Sequence, residues 1–296
     1  MKWKDLSIAV VGGDRREQEI ARQAALTGAE VRAYGFPWPD TGIDRVRHAA
    51  SASDALAGAH VALFPIPGIA PDGALFAPAC PERIILGREA LSGLREPRHI
   101  ILGWADPHLK THGEALAITF HEYEWDKDLM LLRGPAIVEG MLRAIIENTD
   151  ITIHKSKVCV VGQGTIGALV TRTMRALGAD VHVAARNKVQ RAEAEAAGAT
   201  SHSLEGLTAL APSLDTIISS VPAQIVGADV LKQLPPHALL VDLAAPPGGI
   251  DRDAAKALGL KFIWARGMGS RAPVTVGRSQ WSGIRPRIAS IFNMEA

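Results

Sequence analysis

The chain has only two cysteines, Cys80 and Cys159, far apart and with no CxxC or histidine neighbourhood. Their scarcity excludes a disulfide framework and a cysteine-based zinc site. Cys159, inside an apolar run, reads as inert packing. The chain also has no excess of charge: 32 basic and 31 acidic residues leave a formal net charge of +1. No global field favours nucleic acid or an anionic membrane, so any bound anion must be held by a local site. No apolar stretch approaches the roughly 20 residues of a membrane span, and the start, MKWKDLSIAVVGG, reaches its apolar run without a signal-peptide cleavage region. The expected compartment is the cytoplasm. Low-complexity tracts and short-period repeats are missing as well. What remains is 296 residues, 47% hydrophobic and 21% charged, the make-up of a globular protein long enough for two domains.

Short apolar runs bounded by turn residues alternate with helical patterns from end to end. That alternation predicts parallel sheets covered by helices on both faces. Expected strands in the first half are Ser7 to Val11, Glu30 to Tyr34, His60 to Phe64, Arg83 to Leu86, His99 to Leu102 and Ile118 to Phe120. In the second half they are Lys157 to Val161, Asp180 to Ala184, Thr216 to Ser219, Ala238 to Asp242 and Lys261 to Trp264. Between the halves, PAIVEGMLRAIIENTD (Pro135 to Asp150) places Pro at a plausible first helical position, with Ile137, Met141 and Ile145 at helical spacing. The expected fold class is α/β: two Rossmann-like doubly wound domains with a central cleft, and a C-terminal segment returning to the first domain. Residues 1–134 and 275–296 would form the substrate domain and residues 135–274 the nucleotide domain, with Pro135 to Asp150 as the linking helix.

Two strands break on glycines and restart as helices: IAVVGGDRRE (Ile8 to Glu17) and VCVVGQGTIG (Val158 to Gly167). The second has the spacing Gly162, Gly164, Gly167 inside a complete βαβ pattern. Gly162 suits the tight turn, Gly164 close approach to a pyrophosphate, and Gly167 close helix-to-strand packing. The helix N-terminus would offer its free N–H groups to phosphate, so Gln163, Thr165 and Ile166 join the expected dinucleotide site. After the next strand an Asp or Glu would mark NAD, but no acid is present; Arg186, Asn187 and Lys188 stand there instead. A guanidinium pairs with phosphate in a forked geometry, so NADP is favoured over NAD. The following strand ends bring Ser220, Val221 and Pro222, then Asp242, Leu243 and Ala244, toward the nicotinamide end. Asp242 could equally cap a neighbouring turn. In the first turn Asp14 and Glu17 replace the later glycines, and a carboxylate would repel pyrophosphate. A smaller anion on backbone N–H groups and Arg16 is the alternative.

A two-domain 2-hydroxy-acid dehydrogenase needs a histidine acid/base and an arginine for the substrate carboxylate. The last histidine here is His237, just before the expected strand Ala238 to Asp242, and DLAAPPGG carries Ala and Pro where the arginine would be. Both observations argue against that activity. His121, Glu122 and Glu124 do not fall on one helix face, and His108 and His112 lack the glutamate of an HExxH motif, so no metal site is expected.

IAVVGGDRR, VEG (Val138 to Gly140), DITIHKSKVCVVGQGTIG, VDLAAPPGG and APVTVG (Ala272 to Gly277) occur in an order that resembles the A subunit of bacterial dipicolinate synthase over nearly the whole chain. The resemblance implies an NADP-linked oxidation of dihydrodipicolinate to pyridine-2,6-dicarboxylate during sporulation, in the mother cell. It also implies a flavoprotein-like partner, the B subunit of that synthase. A homo-oligomer is expected besides, and the balanced charge and short apolar runs point to no nucleic-acid or membrane partner. Aromatisation would drive hydride loss, so a modest base would suffice. A dicarboxylate needs cations. Arg16, which matches the family's arginine, comes first; Arg271, which departs from the family pattern, and Arg266 follow, with Arg133 and Asp242 as further substrate-site candidates. Two other readings remain: an NADP-dependent dehydrogenase of another small carboxylate, and a nucleotide-binding scaffold without chemistry.

Overall fold

The computed structural model describes residues 1–66 and 73–295. The chain divides into two compact units, Met1–Arg133 with Ala272–Ala296, and Gly134–Arg271.

In the first unit the strands are β1 (Ser7–Val11), β2 (Glu30–Tyr34), β3 (Val46–His48), β4 (Val61–Leu63), β5 (Arg98–Leu102) and β6 (Ile118–Glu122). They form one parallel sheet in the order β3-β2-β1-β4-β5-β6. The second unit repeats this with β7 (Lys157–Val161), β8 (Asp180–Ala184), β9 (Thr200–His202), β10 (Thr216–Ser219), β11 (Leu239–Asp242) and β12 (Lys261–Trp264), ordered β12-β11-β10-β7-β8-β9. Both are the doubly wound 3-2-1-4-5-6 order, with the reversal beside β1 and β7, where ligands bind such sheets. The first and central strand of each unit, SIAVV and KVCVV, is a continuous apolar run because helices cover both faces.

The helices are α1 (Arg15–Leu26), α2 (Ala52–Leu56), α3 (Arg88–Ser92), α4 (Pro107–Ala115), α5 (Lys127–Asn148), α6 (Thr165–Ala176), α7 (Lys188–Ala196), α8 (Leu207–Leu210), α9 (Ala228–Leu231), α10 (Arg252–Ala257) and α11 (Pro273–Ile291). The C-terminal helix α11 returns to the first unit and packs along α1. Its Trp281, Ile284 and Ile288 join Ile8, Val10 and Ile20 in one core face. At Gly277 an added Cβ would stand 2.7 Å from the Arg16 carbonyl oxygen, so the two helices meet at backbone contact.

Three local expectations change. Arg83 to Leu86 is not a strand; the place beside β4 is taken by β5, and Ile84 and Leu86 instead cover the core from a loop. The helix expected to start at Pro135 starts at Lys127, with Pro135 inside it. β3 and β9 are three-residue edge strands with polar exposed positions, too short and too polar to stand out as apolar runs.

Candidate functional site

At the β7–α6 turn the three glycines differ in what surrounds them. Gly162 has φ +91°, and a Cβ there would meet Val221 Cγ2 at 2.4 Å. A Cβ on Gly167 would lie 2.0 Å from the Gly162 carbonyl oxygen, which is helix packed directly on strand. Gly164 is the opposite case: nothing lies within 4 Å of its Cβ position, and it is exposed. The turn is braced from within. Thr171 Oγ1 donates to the buried Gln163 Oε1 at 2.8 Å, and Ser220 Oγ donates to the Val161 carbonyl at 3.2 Å. The N–H groups of Gly164 and Thr165 donate to no acceptor among the described residues, and Gly164 caps α6 without a side-chain bond. Open space, free donors and the positive end of a twelve-residue helix fit a pyrophosphate.

Arg186, Asn187 and Lys188 lie exposed just past β8, which pairs with β7. Asn187 spends its side chain capping α7, accepting from Val189 N at 2.8 Å. Arg191, which sequence reading missed, donates to the Ala185 and Arg186 carbonyls at 2.8 and 2.9 Å and so orders this corner. The Arg186 and Lys188 side chains have no hydrogen-bond or ion-pair partner among the described residues.

Asp242 is a loop organiser. Its buried carboxylate accepts from Ala244 N, Gly249 N and Ile250 N at 3.0, 2.7 and 3.1 Å. That spends both oxygens on folding AAPPGG, the turn-capping alternative open in the sequence, and leaves little for substrate or ribose. Leu243 N bonds Ser219 O, Ala244 is buried, Ile166 and Val221 are half-buried, and Pro222 is exposed. Arg271 is turned to Glu139 on α5 in an ion pair, and Arg266 lies over the Trp264 ring at 5.6 Å. Both follow β12, three strands from β7. VEG is likewise a packing motif here: a Cβ on Gly140 would stand 2.8 Å from Met268 Cβ.

The first turn, Gly12 and Gly13, holds its own carboxylate. Glu17 Oε2 accepts from Asp14 N at 2.8 Å while the Asp14 side chain accepts from Arg16 N at 2.9 Å, a reciprocal capping box. A Cβ on Gly13 would collide with the Glu17 carboxyl at 2.3 Å. Gly13 N donates to Phe76 O. Most backbone donors of this turn are thus taken by the chain itself: Gly12 N by Tyr34 O, Gly13 N by Phe76 O, Asp14 N by Glu17 and Arg16 N by Asp14. Arg16 is not a surface residue: it is 7% exposed, and its Nε and Nη2 each bond Asp14 at 2.9 Å. Burial works to lower its pKa, but the Asp14 bond and the charges of Glu17 and Asp14 outweigh it, and the pKa is raised.

Of the rest of this cluster, sequence reading named Arg133 as a substrate-site candidate, but not Glu17, Tyr123, Glu124 or Gln280 as the polar groups around Arg16. Burial, opposed by Arg16, pushes the Glu17 carboxyl from 4.5 up to about 7. Burial also raises the Tyr123 phenol, which accepts from Gln280 Nε2 at 3.3 Å, and raises the Glu124 carboxyl despite its 2.9 Å pair with Arg133. Glu17 Oε1, Glu124 Oε2 and Gln280 Oε1 are buried without a partner among the described residues. The pattern Asp14-x-x-Glu17 before an apolar helix was the available signal, a capping box. Glu124, Glu122 and His121 diverge to Arg133, Ala105 N and His99 respectively. His108 is exposed with His112 edge-on to it, and burial pushes the Cys159 thiol up to about 12.

Two doubly wound parallel sheets, one carrying a complete GxGxxG turn, define an oxidoreductase fold with a pyridine-nucleotide-binding domain. Residues 139–257 match the family described as D-isomer specific 2-hydroxyacid dehydrogenase, NAD binding domain. Residues 7–123 match the N-terminal domain of the dipicolinate synthase A subunit. The dipicolinate synthase A subunit of Bacillus subtilis (strain 168) is 30% identical over 277 residues, 92% of each chain. Crystal structures of the A subunits of dipicolinate synthase from Bacillus halodurans and Bacillus subtilis superpose with TM-scores of 0.89 and 0.86 at 27% identity, covering 98% of this chain and 99% and 98% of theirs. A Sinorhizobium meliloti transhydrogenase shares the fold, with a TM-score of 0.70 at 16% identity over 96% of this chain and 94% of that one. The chain belongs to the family of dipicolinate synthase A subunits. No helix among the described residues is long and apolar enough to cross a membrane.

Proposed function

We propose that the chain oxidises dihydrodipicolinate to dipicolinate with NADP, as the nucleotide-binding component of a synthase completed by a small flavoprotein-like B subunit. The observation that carries this reading is 30% identity extending across 92% of both chains. A shared nucleotide domain alone would not give likeness across the first unit. When bound, the nicotinamide supplies the hydride acceptor. One ring carbon gives up a hydride and its neighbour a proton, and the ring becomes a pyridine.

The chain's own part is to hold and orient. The Gly164 and Thr165 N–H groups would hold the pyrophosphate, and Arg186 with Lys188 would take the 2′-phosphate. Gly162 and Gly167 keep helix and strand close enough for that approach, and Ser220 braces the turn. Arg16 stands ready for a substrate carboxylate, with its orientation fixed by Asp14. The setting this implies is the cytoplasm of a sporulating mother cell, with the chain in a homo-oligomer. The test is purified chain plus partner, supplied with dihydrodipicolinate and NADP. Pyridine absorbance and reduced nucleotide appearing in equal amounts is the expected result; neither appearing contradicts the reading.

A further inference from the structure

The first unit's sheet ends in a buried polar cluster whose chemistry the nucleotide turn does not use. Arg16 comes from the β1–α1 turn, at the reversal of strand order, and Arg133 from the first turns of α5; both are 7% exposed. Each guanidinium is held on one side only. Asp14 takes Nε and Nη2 of Arg16, and Glu124 takes Nη2 of Arg133 at 2.9 Å. Arg16 Nη1, and Nε and Nη1 of Arg133, bond no acceptor among the described residues. Glu124 interacts electrostatically with both arginines, so the two cations share one neighbourhood.

The partnerless oxygens decide how the cluster handles an anion. Two arginines countered by Asp14 and Glu124 leave no charge for Glu17 to balance, and its Oε1 is buried without a donor. The groups facing it are Asp14 and Arg16 from its own turn and Tyr123 from the end of β6, beside the uncharged Gln280 of α11. An ionised Glu17 would oppose an incoming carboxylate. A protonated one has a hydroxyl hydrogen to donate, as a carboxylic acid held neutral in a dry site does.

We propose that Arg16 and Arg133 form a dicarboxylate-binding pair at the carboxyl edge of the first unit's sheet, with Glu17 carrying the proton that compensates the added negative charge. This rests on the function proposed above and extends it, naming the residues that hold the second carboxylate and a proton linkage at that site. Each free guanidinium edge takes one carboxylate in charge-assisted hydrogen bonds. The added charge favours the neutral form of Glu17, so binding draws a proton from solvent.

The experiment is calorimetric titration of the full chain with dipicolinate and, separately, glutarate, near pH 8 in buffers of different ionisation enthalpy. The expected result is uptake on the order of one proton per bound dicarboxylate, because a group titrating near 7 is mostly ionised before binding. Glu17→Gln keeps the capping-box bond, since glutamine serves at that position, so it should bind without proton uptake. Arg133→Gln and Arg133→Lys should each weaken binding by about tenfold or more, lysine lacking the fork; the two together separate lost recognition from a folding defect. Unchanged uptake in Glu17→Gln, no uptake in the wild type, or unchanged affinity in both Arg133 variants overturns the site while leaving the proposed reaction standing. Glutarate binding with this arginine and proton dependence, but no dipicolinate binding, keeps the site and removes the pyridine substrate. Binding of neither overturns the site.

Discussion

At the scale of single residues, the two glycine turns show how one backbone device is used in two ways. In the second, Gly164 faces open space and Gly167 faces a carbonyl oxygen, although both are glycines of one motif. Their alanine variants should therefore separate. Gly164→Ala should leave thermal stability within about 1 kcal/mol of the wild type, the intrinsic cost being small, while nucleotide affinity measured by fluorescence titration falls. Gly167→Ala should lower stability by about 1–3 kcal/mol through overpacking, visible as a lower melting temperature. Arg186→Ala should weaken NADP by about 10- to 100-fold, the scale of a lost charged hydrogen bond, and leave NAD unchanged; an equal loss for both nucleotides would contradict the assignment. The second turn was legible because its spacing states the chemistry. The first was legible only as a departure from that spacing. Asp14 and Glu17 were recognisable as wrong for a pyrophosphate, but that Glu17 would fold back into the turn and bury a carboxyl depends on Gly13 leaving it room.

At the scale of elements, α1 and α11 form the joint on which the first unit depends. Arg278 of α11 pairs with Glu19 of α1 at 2.9 Å, and Gly277 touches the Arg16 backbone. Gly277→Ala places a Cβ 2.7 Å from backbone and should cost about 1–3 kcal/mol in urea unfolding. The same helix start sets a pH dependence. Glu17 titrates higher folded than unfolded, so its contribution is full below 4.5 and is lost as pH rises through about 7. Denaturation measured from about pH 5 to about pH 8 should show a decline of up to about 3 kcal/mol that Glu17→Gln removes. A decline of the same size in that variant would assign the effect elsewhere. Both sheets were legible because their central strands are apolar runs sealed on both faces. Two edges were not, because β3 and β9 bury too little to need an apolar pattern. Arg83 to Leu86 misled for the converse reason: an apolar run needs burial, and a loop over the core supplies it as well as a strand. Pro135 misled because proline at a helix start is common, whereas here Gly134 and Pro135 lie within a longer helix, with Gly134 close against Leu169.

At the scale of the whole molecule, the two sheets repeat one strand order, and their first turns differentiate them. One turn keeps the Gly164 and Thr165 donors free; the other spends most of its donors on its own carboxylates and on neighbouring carbonyls. The family motifs divide accordingly. GGDRR and APVTVG meet in the first unit, where Gly277 lies against Arg16. VEG packs the loop after β12 in the second, where Asp242 also organises VDLAAPPGG. Family membership and the nucleotide turn were legible because each rests on contiguous stretches. The proton-carrying group was not, since Glu17, Tyr123 and Gln280 are assembled from three distant parts of the chain. The most direct test of the central claim is a single-turnover measurement with the full chain and its flavoprotein-like partner, mixing enzyme-bound NADP with dihydrodipicolinate. One reduced nucleotide and one pyridine dicarboxylate formed per active site is the predicted result; bound nucleotide that stays oxidised while the dihydropyridine persists would contradict it.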